Sequence, residues 1–194
     1  MIMKIGIISD IHADARALRR ALEHMPSVDA YLCPGDAVSE YRFCADTVEL
    51  LQQANVLCIQ GNHEHVLFNG RNPAYLKKCR ETFAPEALEF LATVPPSRDL
   101  TFEDTKLLLV HASPWEPYDE YIYPGSTRLA RFATLPHDVV CFGHTHVPFV
   151  HQSGTVTIIN PGSCSQPRDQ DRRGAYALFD TATREATIHR FSLE

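Results

Sequence analysis

Apolar residues in this chain alternate between short dense runs and longer stretches in which they recur about once per helical turn. Residues 4–9 form a β-branched run ending at Asp10, and residues 13–25 place Ala, Leu and Arg at helical spacing. The chain therefore opens as strand, loop, helix. A second strand over 29–33 ends at Gly35-Asp36, a second helix covers 43–54, and a third strand over 56–60 leads into Gly61-Asn62-His63. Strands alternating with helices imply βαβ units in a largely parallel sheet. Residues 73–91 read as helical with a break near Pro85, after a loop over 68–72. Residues 101–103 and 106–110 form a hairpin turning at Asp104-Thr105, and the second strand ends at His111. A helix over 126–134 and a strand over 139–142 follow, the strand ending at Gly143-His144. The remainder is strand-rich, over 149–152, 155–160, 175–180 and 186–191, and is expected to pack as a second sheet against the first. No Gly/Ser-rich or charged linker interrupts the pattern, so residues 1–194 are expected to form one α/β domain.

Composition narrows the class. The formal net charge of −6 and the lack of a basic stripe argue against long nucleic acid as a partner. No apolar run reaches the ~18–20 residues of a membrane span, and residues 1–5 enter a strand without a signal-peptide pattern. Six cysteines (Cys33, Cys44, Cys58, Cys79, Cys141 and Cys164) lack C-x-x-C spacing, with Cys33, Cys58 and Cys141 in or beside apolar runs. They read as reduced, buried residues of a cytoplasmic protein.

The chemistry sits where the apolar runs end. Asp10 and His12, Asp36, Asn62 and His63, His111, and His144 and His146 all follow expected strands. In open α/β sheets ligands bind beyond the carboxyl ends of the strands, so one rim would gather them. Asp10 and His12 offer a carboxylate and an imidazole, and Asp36 follows a glycine that leaves its carboxylate free to bridge two ions. Asn62 offers an amide oxygen, and His144 and His146 diverge enough to serve different ions. The mixed O/N set without thiolate suits two divalent ions, manganese first, with iron, zinc, nickel or cobalt as alternatives. Paired metals are the usual device for attack of a metal-bound hydroxide on phosphorus. His24, His65, His137, His151 and His189 belong to no motif and read as surface or partly packed residues.

The ordered set Asp-x-His, Gly-Asp, Gly-Asn-His, His and Gly-His-x-His resembles the calcineurin-like metallophosphoesterase superfamily, in its small bacterial and archaeal phosphodiesterase branch. Further marks are Ser9-Asp10-Ile11-His12, Val110-His111-Ala112-Ser113-Pro114, and Ile159-Asn160-Pro161-Gly162-Ser163 followed by Gln166-Pro167-Arg168-Asp169. The resemblance implies a four-layer αββα sandwich of two mixed β-sheets flanked by helices. It also implies that Asp10, His12, Asp36 and His146 hold one metal while Asp36, Asn62, His111 and His144 hold the other. His63 is then the catalytic candidate, and with Asn62 a substrate-binding one, contacting phosphoryl oxygens or protonating the leaving group. A small, nucleotide-like phosphoester is the expected substrate, and a homo-oligomer is compatible with the sequence.

The sequence departs from the protein Ser/Thr phosphatase pattern at Ser39-Glu40-Tyr41, where an acidic partner for His63 and a phosphate-clamping arginine are missing. A protein phosphatase, and a non-catalytic interaction scaffold of the same fold, are the alternatives. Glu64 is expected at the surface or behind the ligands. Trp115, Tyr118, Tyr121 and Tyr123 are candidates to stack a base, and Arg168, Arg172 and Arg173 either meet phosphate or are solvated.

Overall fold

The computed structural model describes residues 2–194. The N-terminal part builds strands β1 (Lys4–Ile7), β2 (Ala30–Cys33) and β3 (Leu57–Cys58), mutually parallel, with helices α1 (Ala15–His24) and α2 (Asp46–Gln53) in the crossovers. Asp14 caps α1 by accepting from the Ala17 amide at 3.0 Å. Helices α3 (Asn62–Phe68), α4 (Pro73–Thr82) and α5 (Pro85–Thr93) follow, the last two opening on prolines whose missing N–H costs nothing at a helix start. The expected break at Pro85 is therefore present. Helix α3 was not anticipated, and it places Asn62 and His63 in a first helical turn.

Strands β4 (Arg98–Phe102) and β5 (Thr105–Leu109) form the expected hairpin. Phe102 pairs with Thr105, so the turn is Glu103-Asp104, one residue earlier than the sequence suggested. Residues Thr127–Thr134 wind as a 3-10 helix, followed by β6 (Val139–Cys141), β7 (Phe149–Ser153), β8 (Val156–Asn160), β9 (Gly174–Asp180) and β10 (Ala186–Phe191).

The two five-stranded sheets run β10-β9-β1-β2-β3 and β4-β5-β6-β8-β7, both mixed. The strand-rich C-terminal third thus does not make the second sheet alone. β7 and β8 join it beside β4, β5 and β6, whereas β9 and β10 return to extend the first sheet past β1.

Period-two alternation sets the layers. Ile5, Ile7, Leu32 and Ile59 face Leu107, Leu109, Val139 and Ile159 across the space between the sheets. The intervening positions point outward: Ile8 meets Leu18, Ala21 and Met25 of the α1 segment, while Leu108, Val140 and Ile158 pack on Leu129 and Phe132 of the 3-10 helix. The order helix, sheet, sheet, helix is the expected sandwich, with a 3-10 rather than an α-helix behind the second sheet. A smaller cluster around Leu67, Tyr75, Cys79 and Leu91 anchors α3, α4 and α5. Burying each such aliphatic side chain stabilises the fold by ~1.5–3 kcal/mol.

All six cysteines are free, five of them buried. Burial pushes the Cys79 thiol up to about 12 and raises Cys141 and Cys164 further, which keeps them uncharged and unreactive. No helix among the described residues is long and apolar enough to cross a membrane.

Candidate metal centre

Five strand ends deliver the candidate residues to one rim. Asp10 and His12 follow β1, Asp36 follows β2, Asn62 begins α3 after β3, His111 follows β5, and His144 and His146 follow β6. The first four therefore come from one sheet and the last three from the other. Asp10, His12, Asp36, His144 and His146 all hold a left-handed backbone, with φ between 49° and 65°. For non-glycine residues this costs on the order of 1–3 kcal/mol each, and such strain persists only where surroundings over-determine it.

Those surroundings are a lattice of hydrogen bonds between loops. The Asp10 and His12 amides donate to Gly35 O and Asp36 O at 3.2 and 2.9 Å, and the Gly143 amide donates to His111 O at 2.9 Å. Ser163 Oγ donates to Asp10 O at 2.6 Å. Asn160 Nδ2 donates to Gly143 O at 2.8 Å and Thr145 Oγ1 at 3.1 Å. The loops press so closely that a Cβ on Gly61 would strike Asp36, and one on Gly143 would strike Ser9 and Asp10. Only glycine fits at either place.

The reactive atoms converge in two groups. In the first, His12 Nε2 lies 3.0 Å from His146 Nε2, which lies 3.4 Å from Asp10 Oδ1. In the second, Asn62 Oδ1 lies 3.0 Å from both His111 Nε2 and His144 Nδ1. Asp36 Oδ2 stands between them, 3.8 Å from His12, 3.4 Å from His111 and 4.0 Å from His63 Nε2. Within each of the sets Asp10/His12/His146, His12/Asp36/His63 and Asp10/Asp36/His111, the ligand atoms lie within 4.8 Å of one another, close enough to hold a metal ion.

Hydrogen bonds orient the rings. His111 Nδ1 bonds Pro34 O at 2.8 Å and His146 Nδ1 bonds Gln166 O at 2.7 Å, so each turns a free Nε2 lone pair inward when neutral. Burial pushes His12 and His144 down to about 4, so both rings are neutral. Burial also opposes charge on Asp36 and Asp10, but the imidazoles around them prevail and hold both carboxyls below the usual range. Burial alone would lower His111, yet Asp36 overrides it and lifts that ring to about 9. A bound cation would displace the His111 proton, and carboxylates, imidazoles and an amide oxygen packed without thiolates form a donor set that fits divalent cations.

Two acidic residues bring these groups to their places. Glu64 is buried, and its carboxylate accepts from the amides of Asp36, Val38 and Gly61 at 3.0, 2.8 and 2.7 Å, fixing the Asp36 loop against α3. It belongs beneath the site rather than at the surface. Glu40 supplies the carboxylate that the sequence pattern lacked: its Oε2 lies 3.9 Å from His63 Nδ1, and its amide donates to that nitrogen at 3.3 Å. The sequence signal for Glu64 was its place three residues after a helix-starting glycine, as in a capping box. No local signal marked Glu40.

The other candidates divide. Trp115 packs edge-on against Phe132 under Arg131, and Tyr118 stacks on His65. Tyr121 tilts over His144 with ring centroids 4.1 Å apart, Tyr123 lies behind it, and both are exposed. Arg173 pairs with Asp171, whereas Arg168 lines a cleft beside His12 and His63. None of the five histidines outside the motifs enters a metal-compatible group among the described residues.

A two-sheet sandwich with aspartates, histidines and an asparagine gathered on its strand ends defines the metallophosphoesterase class. The profile of the calcineurin-like phosphoesterase superfamily domain matches residues 3–184, and the chain belongs to that superfamily. It is 28% identical over 166 residues to a phosphodiesterase of Methanocaldococcus jannaschii, covering 84% of both chains. It is 26% identical over 190 residues to phosphodiesterase YfcE of Escherichia coli, covering 92% of this chain and 88% of that one. The crystal structure of a metallophosphoesterase from Sphaerobacter thermophilus superposes with a TM-score of 0.80 at 28% identity, over 99% of this chain and 89% of the other.

Proposed function

We propose that residues 1–194 form one domain acting as a phosphodiesterase on small, nucleotide-like phosphoesters, with two divalent ions, manganese first, as cofactors. The carrying observation is the placement of Asp36 Oδ2 between the two donor groups, 3.8 Å from His12 and 3.4 Å from His111. Asp10, His12, Asp36 and His146 would hold one ion, and Asp36, Asn62, His111 and His144 the other. When bound, the pair supplies Lewis acidity at the phosphoryl oxygens and activates water as the nucleophile. The phosphodiesterase relatives support this reading, as does the cleft lined by Arg42 and Arg168 beside His12 and His63. A cytoplasmic location fits the reduced cysteines.

The chain's own groups orient the substrate. His63 Nδ1 accepts from the Glu40 amide, so the neutral ring carries its proton on Nε2, the nitrogen that faces Asp36. That N–H is placed to donate to a phosphoryl oxygen or to the departing oxygen. Tyr121, exposed beside His144, offers a face on which a base stacks.

The test is metal content with turnover. The protein loaded with Mn²⁺ should hold two ions per chain and cleave bis(p-nitrophenyl) phosphate. Asp36→Asn should lose both ions and at least ~10²-fold in kcat, since one bridging charge serves both positions. Full activity in metal-stripped Asp36→Asn would sink the reading.

A further inference from the structure

Next to the candidate ligands a cleft of about 220 Å³ opens to solvent, floored by His12 and His63 and walled by Tyr41, Arg42, Gln166 and Arg168. At ~30 Å³ per water it has room for roughly seven waters, enough for a phosphate and part of a sugar. Among the described residues no acidic side chain lines it. The acidic side chains of the same loop are already engaged: Asp169 pairs with Arg190, and Asp171 with Arg173. Arg42 is held by Asp14, which also caps α1. Arg168 has no carboxylate within ion-pair reach among the described residues, and its amide donates to His146 O at 3.2 Å, which ties it to a candidate ligand. A guanidinium left without a carboxylate partner beside a phosphoester site matches phosphate oxygens in a bidentate fork.

We propose that this cleft is an anion subsite in which Arg168, assisted by Arg42, holds a second phosphate of the substrate. This rests on the phosphodiesterase reading above and refines it: the preferred diesters are nucleotides that carry another phosphate beyond the one being cleaved. The second phosphate would lie beside His12 and His63, whereas Tyr121 borders His144. Arg42, paired with Asp14, contributes less than Arg168.

A matched pair of substrates isolates the subsite. Thymidine 5′-(p-nitrophenyl phosphate) and its 3′-phosphorylated counterpart release the same leaving group and differ only in the additional phosphate. The Mn²⁺-loaded protein should prefer the bisphosphate ester through KM, and Arg168→Ala should lower that preference, read as the ratio of kcat/KM values, about tenfold. Arg168→Lys should keep part of it. An equal effect of Arg168→Ala on both esters, or no preference in the wild type, overturns the subsite. Calorimetric titration of the protein with thymidine 3′,5′-bisphosphate and thymidine 5′-monophosphate reads binding without turnover. There the bisphosphate should bind about tenfold more tightly, and Arg168→Ala should erase the difference. If neither ester is cleaved yet the binding difference holds, the phosphodiesterase reading fails while the subsite stands. Equal binding of both nucleotides rejects the subsite.

Discussion

His63 differs from the neighbouring imidazoles in what its outer nitrogen receives. His111 and His146 bond carbonyl oxygens through Nδ1, which leaves the Nε2 lone pair free when the ring is neutral, whereas His63 accepts an amide hydrogen at Nδ1. Its Nε2 is therefore a donor in the neutral ring. A neutral donor suits a hydrogen bond to a phosphoryl oxygen better than full proton transfer, because giving up its only proton would leave an imidazolate. His63→Ala should keep both metals and lower kcat by ~10²–10³, the usual cost of one transition-state donor. The loss should match for p-nitrophenyl and alkyl diesters. A deficit confined to the poor leaving group would make His63 a general acid instead. At this scale the sequence was informative about the ligands, because each stands where an apolar run stops. It was silent on Glu40, whose approach to His63 comes from the fold of two separate segments.

Among the elements, the connection from β6 to β7 carries His144 and His146, and it is pinned by a residue that ligates nothing. Asn160, at the end of β8, gives its amide hydrogens to Gly143 O and Thr145 Oγ1 and accepts from the Gly162 amide at 2.9 Å. Asn160→Ala takes the partner from the buried Gly162 amide and one of two donors from Gly143 O, which keeps the Thr145 amide, at about 1–3 kcal/mol. Denaturant unfolding should show that loss, and the metal nearer His146 should bind more weakly. Unchanged stability and metal affinity would mean the loop holds its shape alone. Most elements were legible from periodicity, with their ends within three residues. Helix α3 was not, because its seven residues are dominated by Asn62, His63 and His65, which mask the helical rhythm. The 3-10 winding of Thr127–Thr134 was equally hidden, since both helix types bury Leu129 and Phe132 in the same direction.

Across the whole molecule, the two sheets meet at the candidate metal ligands. Asp10, His12, Asp36 and Asn62 belong to one and His111, His144 and His146 to the other, so each ion would cross-link the sandwich. At free metal ~100-fold above Kd, each ion adds ~2.7 kcal/mol to stability. For a chain of this size that corresponds to roughly 5–10 °C in Tm per ion. Scanning calorimetry with and without chelator should show it, and identical melting would argue that the ions do not join the sheets. The division of the last four strands between the sheets escaped the sequence. Alternation reports that a segment is a strand with one buried face, and that face looks the same in either sheet.

The return of β9 to lie against β1 ties the beginning of the chain to its end, Lys4 opposite Asp180. During synthesis, the loop bearing Asp10 and His12 emerges early yet stays unframed on one side until β9 arrives. A chain stopped before residue 174 would contain every candidate ligand and still leave the inner edge of β1 bare, an Ile-rich template for another chain's strand. A nascent chain that pauses short of β9 therefore shows a bare strand edge to its neighbours while the loop of Asp10 and His12 is still unframed, which favours aggregation.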